Sequence, residues 1–251
     1  MAAANFQNPC VGEQLAARPK RGAAFAPPAM AALGIALVGL ALMPPLFRSE
    51  DGRSMLGVAE SLLERGSVAV PAALGVPGLH GLYYSQWYPL LSVIALPFVA
   101  VGLWLGRELG IQPGYAAQLP ALALSVALFA GNAYFTALIA LRLGATMKGA
   151  VAAAIAFAFG TIAPIYAREF FADPLLALLT ALAIYDALDP RNGRIGWRGG
   201  AVAGLAILAK PTGIVLAPCL AAYNLLTGRR RSSVVLPIAG AAGGVSIVVG
   251  T

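Results

Sequence analysis

Leu119 to Leu141 reads LPALALSVALFAGNAYFTALIAL, a run with no charged side chain. It is longer than the roughly 20 apolar residues an α-helix needs to cross the hydrocarbon core of a bilayer. Its apolar residues come in a block, whereas the strands of a membrane β-barrel alternate apolar and polar residues over about ten positions, so the run reads as a helix. Further blocks stand on either side, at Ala29 to Phe47, Tyr88 to Gly106, Ala150 to Tyr166, Pro174 to Leu188, Gly199 to Asn224 and Val234 to Gly250. Of the 251 residues, 59% are hydrophobic and 11% charged, with a mean hydropathy of +0.80. An ordinary soluble domain carries roughly a quarter charged residues. A water-soluble globular protein is excluded, and the expected fold class is an all-α, polytopic transmembrane helical bundle with about seven crossings.

The net charge of +7 sits in short clusters between apolar blocks. Arg18, Lys20 and Arg21 precede the first block, Arg191, Arg194 and Arg198 separate two others, and Arg229 to Arg231 close another. This is the distribution of the positive-inside rule, so the charge reports orientation and not a nucleic-acid partner. The partner is the membrane, a plasma (inner) membrane crossed several times from a cytoplasmic N-terminus. Cys10 and Cys219 are the only cysteines, one in a polar tail and one in an apolar block, so neither a disulfide framework nor a thiolate site is indicated. His80, beside Gly78 and Gly81, reads as a loop residue. No cofactor and no metal site are predicted, and a divalent ion is left open.

Residues 1 to 28 read as a disordered cytoplasmic tail and 29 to 251 as the membrane module. The longest polar stretch, Arg48 to Trp87, then falls outside. Within it Met55, Leu56, Val58, Ala59, Leu62 and Leu63 recur at helical spacing opposite Ser54, Glu60, Ser61, Glu64 and Arg65, which predicts a short amphipathic helix lying in the interface. Keeping Arg142 and Lys148 inside requires that Tyr88 to Gly106, interrupted by Pro89 and Pro97, lies in the interface or re-enters without crossing fully. Gly199 to Asn224 has basic clusters on both sides and Lys210-Pro211 in its middle, so it reads as two short helices meeting at Lys210. Glu50, Asp51, Arg168, Glu169, Asp173 and Lys210 then converge on one outer face, as an active site at a lipid headgroup requires. The last apolar block ends at Thr251 without a charged closing segment, so the module is expected to be incomplete at its C-terminus.

These features together resemble the GT-C superfamily of membrane glycosyltransferases, in particular the N-terminal portion of the family-39 type that includes protein mannosyltransferases and the aminoarabinose transferase acting on lipid A. The residues that carry the resemblance run in order along the chain: Ser49-Glu50-Asp51-Gly52-Arg53, then Ala59 to Gly66, Tyr83 to Leu90 with Ala95-Leu96-Pro97-Phe98, Phe171-Ala172-Asp173-Pro174-Leu175, and Leu205 to Thr212. The resemblance implies transfer of a sugar from a polyprenyl-phosphate donor to an acceptor hydroxyl on a lipid, glycan or protein at the outer face, with inversion. Two departures stand out. Many relatives carry an arginine where this chain has Ala117-Gln118-Leu119, and many a lysine where Ser85-Gln86 stand.

Such chemistry needs a carboxylate to deprotonate the acceptor and donors to hold the departing phosphate. Asp51 is the first candidate for the base and Glu50 the second; the competing reading is that both only cap the amphipathic helix, where acids at an N-terminus are favourable. Arg53 would anchor Asp51 or contact the phosphate, or simply face lipid headgroups. Asp173 has Arg168 and Lys210 as candidate partners, in a structural ion pair or a substrate-binding role. Lys210, amid Ile207-Leu208-Ala209 and Pro211, reads as a buried cation facing phosphate. Tyr84 and Gln86 are substrate-binding candidates, with Tyr83, Tyr84, Trp87 and Tyr88 read either as a sugar-stacking cluster or as an interfacial aromatic belt. Two other classes compete with the transferase: a transporter or flippase component, whose ionisable residues would spread through the membrane depth, and a non-catalytic membrane subunit.

Overall fold

The computed structural model describes residues 26–188, 196–227 and 231–250. The expected tail lies outside them up to residue 25, as do Arg18, Lys20, Arg21, Arg191, Arg194, Arg229 and Arg230. The described chain is mostly helical. Helix α1 (Ala26–Ala41) is followed by α2 (Glu50–Arg65), then by a small sheet of β1 (Ala69–Val70), β2 (Val76–Pro77) and β3 (Tyr83–Tyr84). After these come α3 (Leu90–Leu109), α4 (Pro113–Ala116), α5 (Gln118–Arg142), α6 (Met147–Gly160), α7 (Ala163–Ala167), α8 (Asp173–Ala187), α9 (Gly196–Ala209), a 3-10 turn (Pro211–Val215), α10 (Leu216–Leu226) and α11 (Arg231–Gly250).

Among the described residues two helical stretches, Leu90–Leu109 and Pro113–Arg142, are long and apolar enough to cross a membrane; the apolar stretches Ala26–Ala41, Met147–Gly160, Arg198–Ala209, Pro211–Leu226 and Val235–Ile247 are shorter. The first block corrects the expected Ala29 to Phe47. Its helix is already formed at Ala26, the first described residue, and stops at Ala41 before Pro44-Pro45, which cannot continue the hydrogen-bond ladder.

Contacts set the direction of each helix. Gly39 of α1 faces Val126, and Ile35 clusters with Phe129, Ala133 and Ala137, so α1 and α5 are antiparallel. Asn132 Nδ2 donates to the Pro174 carbonyl (2.9 Å), and the Arg142 guanidinium stacks 3.4 Å above the Tyr185 ring, so α5 and α8 run the same way. Lys210, just past α9, meets Asp173 at the start of α8, which makes those two antiparallel. One end of the bundle thus holds Phe47, Gln118, Asp173 and Lys210, and the other Arg142 and Tyr185.

α3 is continuous through Pro97, and Pro89 sits just before its first turn, so the prolines do not interrupt it as expected. Ser92 Oγ at the start of α3 donates to the Met55 carbonyl of α2 (2.8 Å), and the buried N–H of Phe47, after α1, donates to Gln118 Oε1 at the start of α5 (2.8 Å). The chain therefore leaves α1 and enters α5 at the same end of the bundle, while Leu91, Ala95, Val99 and Leu103 of α3 pack into the core with Ala121, Leu122 and Leu128 of α5.

α2 carries the expected amphipathic pattern with its phase corrected. Met55, Leu56, Val58 and Ala59 are buried, but so are Ser54 and Ser61, while Leu63 is exposed. Protein lies on more than one side of this helix: Ser54 Oγ donates to Ser85 Oγ (2.9 Å) and Ser61 Oγ to the Ala69 carbonyl (2.6 Å). Glu60 is caught at the edge, one oxygen buried without a partner. Burial pushes its carboxyl above the ordinary range and Glu64 adds to this, against the pull of Arg65.

The block around Lys210 breaks as its proline dictates. The residue before a proline disfavours helical backbone, and Lys210 is extended (φ −161, ψ 141), ending α9 at Ala209. α9 and α11 then pack through Gly200, Gly204, Gly240 and Gly244, with Gly240 against the Gly200 carbonyl and no room for a side chain. Gly240→Ala is expected to force these helices apart and cost about 1–3 kcal/mol, read as a lower unfolding midpoint of the purified protein in detergent. Gly243→Ala, which faces open space, should stay within about 0.5 kcal/mol of the parent.

Candidate functional site

Ser49 precedes α2 with extended backbone (φ −88, ψ 137), and its Oγ accepts the Gly52 N–H (3.1 Å). Capping is therefore carried by the serine hydroxyl, and the two acids after it are released from that duty. They diverge because successive helical residues are about 100° apart. Asp51 lines a cavity of about 400 Å³, and among the described residues it has no hydrogen-bond or ion-pair partner. Glu50 stays outside that lining, its side chain 76% exposed and 4.0 Å from Arg53, so Arg53 pairs with Glu50 and not with Asp51.

Across the cavity α8 opens on Asp173-Pro174, a proline in the first turn. Asn132 fixes this turn from α5 through the Pro174 carbonyl. Lys210 Nζ donates to Asp173 Oδ1 at 2.6 Å, with side chains 30% and 39% exposed, and both residues line the cavity. Lys210 is thus less buried than expected: the break in its helix turns it from the apolar block to the cavity wall. Of the two partners expected for Asp173 it is Lys210 that pairs, while Arg168 is exposed.

Trp87, Tyr88, Tyr166 and Phe171 supply the aromatic walls. The aromatic cluster read from the sequence is divided: β3 takes Tyr83 and Tyr84, and only Trp87 and Tyr88 reach the cavity. Tyr84 instead lays its ring over Gly78, where a Cβ would collide with it, and Gln86 is exposed; neither lines the cavity. Tyr166, to which the sequence assigned no role, stacks edge-on against Phe171 (5.8 Å, 66°). Its only signal was its place at the end of an apolar block, just before Arg168-Glu169.

A second cavity of about 640 Å³ adjoins the first, sharing Ile162, Tyr166 and Asp173, and runs between α5, α6 and α8. Phe129, Ile139, Phe157, Leu176 and Ile184 make it apolar. Its threonine hydroxyls are spent on carbonyls one turn back, Thr136 on Asn132 (2.8 Å), Thr161 on Phe157 (2.7 Å) and Thr180 on Leu176 (2.9 Å). A chamber with charged side chains thus lies beside an apolar trough, the two separated by Ile162, Tyr166 and Asp173, an arrangement that suits a molecule with a charged head and a long hydrocarbon tail.

Among the described residues no three His, Cys, Asp or Glu side chains group as metal ligands. Comparison with protein-family models, with curated proteins and with solved structures found no match.

Proposed function

We propose that the chain is a membrane glycosyltransferase of the GT-C type, moving a sugar from a polyprenyl-phosphate donor to an acceptor hydroxyl. The observation that carries this reading is the adjacency of the two cavities, Asp51 and the Lys210–Asp173 pair lining one and mostly apolar side chains lining the other. The trough takes the prenyl tail and the chamber takes the phosphate and sugar. Asp51 accepts the acceptor's hydroxyl proton as its oxygen bonds to the anomeric carbon. The bond from that carbon to the phosphate oxygen breaks, with inversion, and polyprenyl phosphate departs. Lys210 stabilises the charge that develops on that oxygen.

In this reading α1, α5, α6, α8, α9, α10 and α11 cross the membrane, and α3, although long and apolar enough to span it, packs beside α5 as a re-entrant helix with the rest of residues 48–117 on the outer side. Arg142 and Lys148 stand at the end away from the cavity, and so does Arg198 in the first turn of α9. Arg48, Arg53, Arg65, Arg107, Arg168 and Lys210 stand on the cavity side, but the basic clusters of the sequence at 18–21, 191–198 and 229–231 fall between blocks that in this topology end on the other, which supports a cytoplasmic N-terminus and an outward-facing cavity in a plasma membrane. The helices below the cavity are short, 14 residues in α6 and α9 and 15 in α8. At 1.5 Å per residue they span about 21 Å, less than the roughly 30 Å hydrocarbon core. The chamber then lies at or below the outer headgroup level, within reach of a lipid phosphate. A transporter reading is disfavoured because charged side chains of the crossing helices stand near their ends among the described residues.

Orientation is tested with cysteines at the exposed positions Glu64 and Lys148, in a background with Cys10 and Cys219 changed to serine. Glu64→Cys should react with an impermeant maleimide on intact cells, and Lys148→Cys only after permeabilisation. The reverse pattern would put the cavity on the wrong side for this reading.

A further inference from the structure

We infer that Glu169 is a positioning residue that holds the Asp51 turn over the cavity. The role of Asp51 rests on the transferase reading; the clamp itself does not. Glu169 Oε2 accepts the backbone N–H groups of Arg48 (3.2 Å) and Ser49 (3.2 Å), and Oε1 accepts Arg48 again at 3.3 Å. These donors lie just before α2, where no helical carbonyl can take them. A carboxylate on two N–H groups makes charge-assisted bonds, shorter-ranged in freedom and stronger than a loop contact between neutral groups.

The next residue locks the same turn from another side. Phe170 is fully buried and stacks on Phe47 with centroids 5.6 Å apart and planes 1° from parallel. Its carbonyl oxygen lies 3.2 Å from where a Cβ on Gly52 would be, so only glycine at 52 permits this approach without displacement. Residues 47–52 are therefore gripped by Glu169 and Phe170, and the same strand of chain continues through Phe171 to Asp173 in the cavity wall. One short segment sets the separation between Asp51 on α2 and the Asp173–Lys210 pair, although these belong to distant parts of the sequence. No substrate contact is required of Glu169. Its effect reaches the chemistry only through the placement of Asp51.

The test uses the full chain in lipid nanodiscs, with a polyprenyl-phosphate sugar as donor and release of polyprenyl phosphate as readout. A misplacement of about 1 Å costs about 10²-fold in rate, so Glu169→Ala should lower kcat by about that factor with KM for the donor within about twofold. Glu169→Gln keeps an acceptor oxygen without the charge and should recover most of the loss. In an Asp51→Asn background Glu169→Ala should cost nothing further, because the group it positions is gone. Amide hydrogen exchange at Arg48 and Ser49 should accelerate in Glu169→Ala and remain near the parent in Glu169→Gln. Unchanged exchange at those amides, or a further loss of activity in the Asp51→Asn background, would overturn the inference. Absence of turnover in the parent chain, with the exchange result as stated, would count against the transferase reading and leave the clamp standing.

Discussion

Asp51→Asn should lower turnover by about 10²–10⁴-fold, the range contributed by a general base, with the amount of protein in the membrane unchanged. The substitution keeps the shape of the side chain and removes only its capacity to take a proton. Stability should be spared because the helix start is already capped by Ser49 Oγ, and Asp51 has no hydrogen-bond or ion-pair partner among the described residues. The neighbouring acid is the internal control. Glu50 is 76% exposed and outside the cavity, so Glu50→Gln should stay within about twofold, as surface substitutions do. Equal losses from the two acids would mean that the substitutions act on the helix start and not on chemistry. Release of polyprenyl phosphate from a lipid-linked sugar by membranes with matched protein levels measures both.

The second large effect is expected at Lys210. Lys210→Met keeps the length of the side chain and removes its charge, and should lower kcat/KM for the donor by about 10²–10³-fold, the loss typical of one group that stabilises a developing oxyanion. The ion pair with Asp173 supplies the competing explanation, in which both residues merely tie α8 to α9. The two accounts separate on Asp173→Asn. If Lys210 serves the phosphate, that change leaves the cation in the chamber and should cost distinctly less than Lys210→Met. If the pair is structural, either single change breaks it and the losses should match. At 2.6 Å, with both side chains more than a quarter exposed, the pair is open enough for a phosphate to compete with Asp173 for the ammonium group.

Much of this architecture is legible in the residues, for identifiable reasons. The apolar blocks of the sequence coincide with the helices of the bundle, because long runs without a charge can be buried on every side. Lys210-Pro211 announces the helix break because a proline acts on its own backbone and on the residue before it. Length of an apolar run is a poorer guide to where a helix stops: Pro44-Pro45 ends α1 at Ala41, although the run continues to Phe47.

What the sequence hides is tertiary. Ser54 and Ser61 look like the wet face of α2 until Ser85 and the Ala69 carbonyl arrive from the following sheet to bond them. Glu50 and Asp51 are indistinguishable as adjacent acids, and only the helix phase set by the Ser49 cap separates cavity from solvent. Tyr84 and Trp87 belong to one aromatic cluster on paper, yet the strand pairing of Tyr83 and Tyr84 with β1 and β2 withdraws the first two rings. Glu169 carries no motif at all. Its partners are backbone N–H groups more than a hundred positions away, which no spacing rule can point to.

Binding of a lipid phosphate with its head in the chamber and its prenyl tail in the adjoining trough can be read out by photocrosslinking. A polyprenyl phosphate carrying a photoreactive group on the isoprene units nearest the phosphate would be irradiated with the full chain in nanodiscs, and the modified residues mapped by mass spectrometry. The account predicts labelling of the trough, around Phe157 to Tyr166 and Leu176 to Ile184, suppressed by excess unlabelled polyprenyl phosphate and weakened in Lys210→Met. Labelling confined to the outward faces of α1 and α11, or labelling that excess polyprenyl phosphate leaves unchanged, would contradict it.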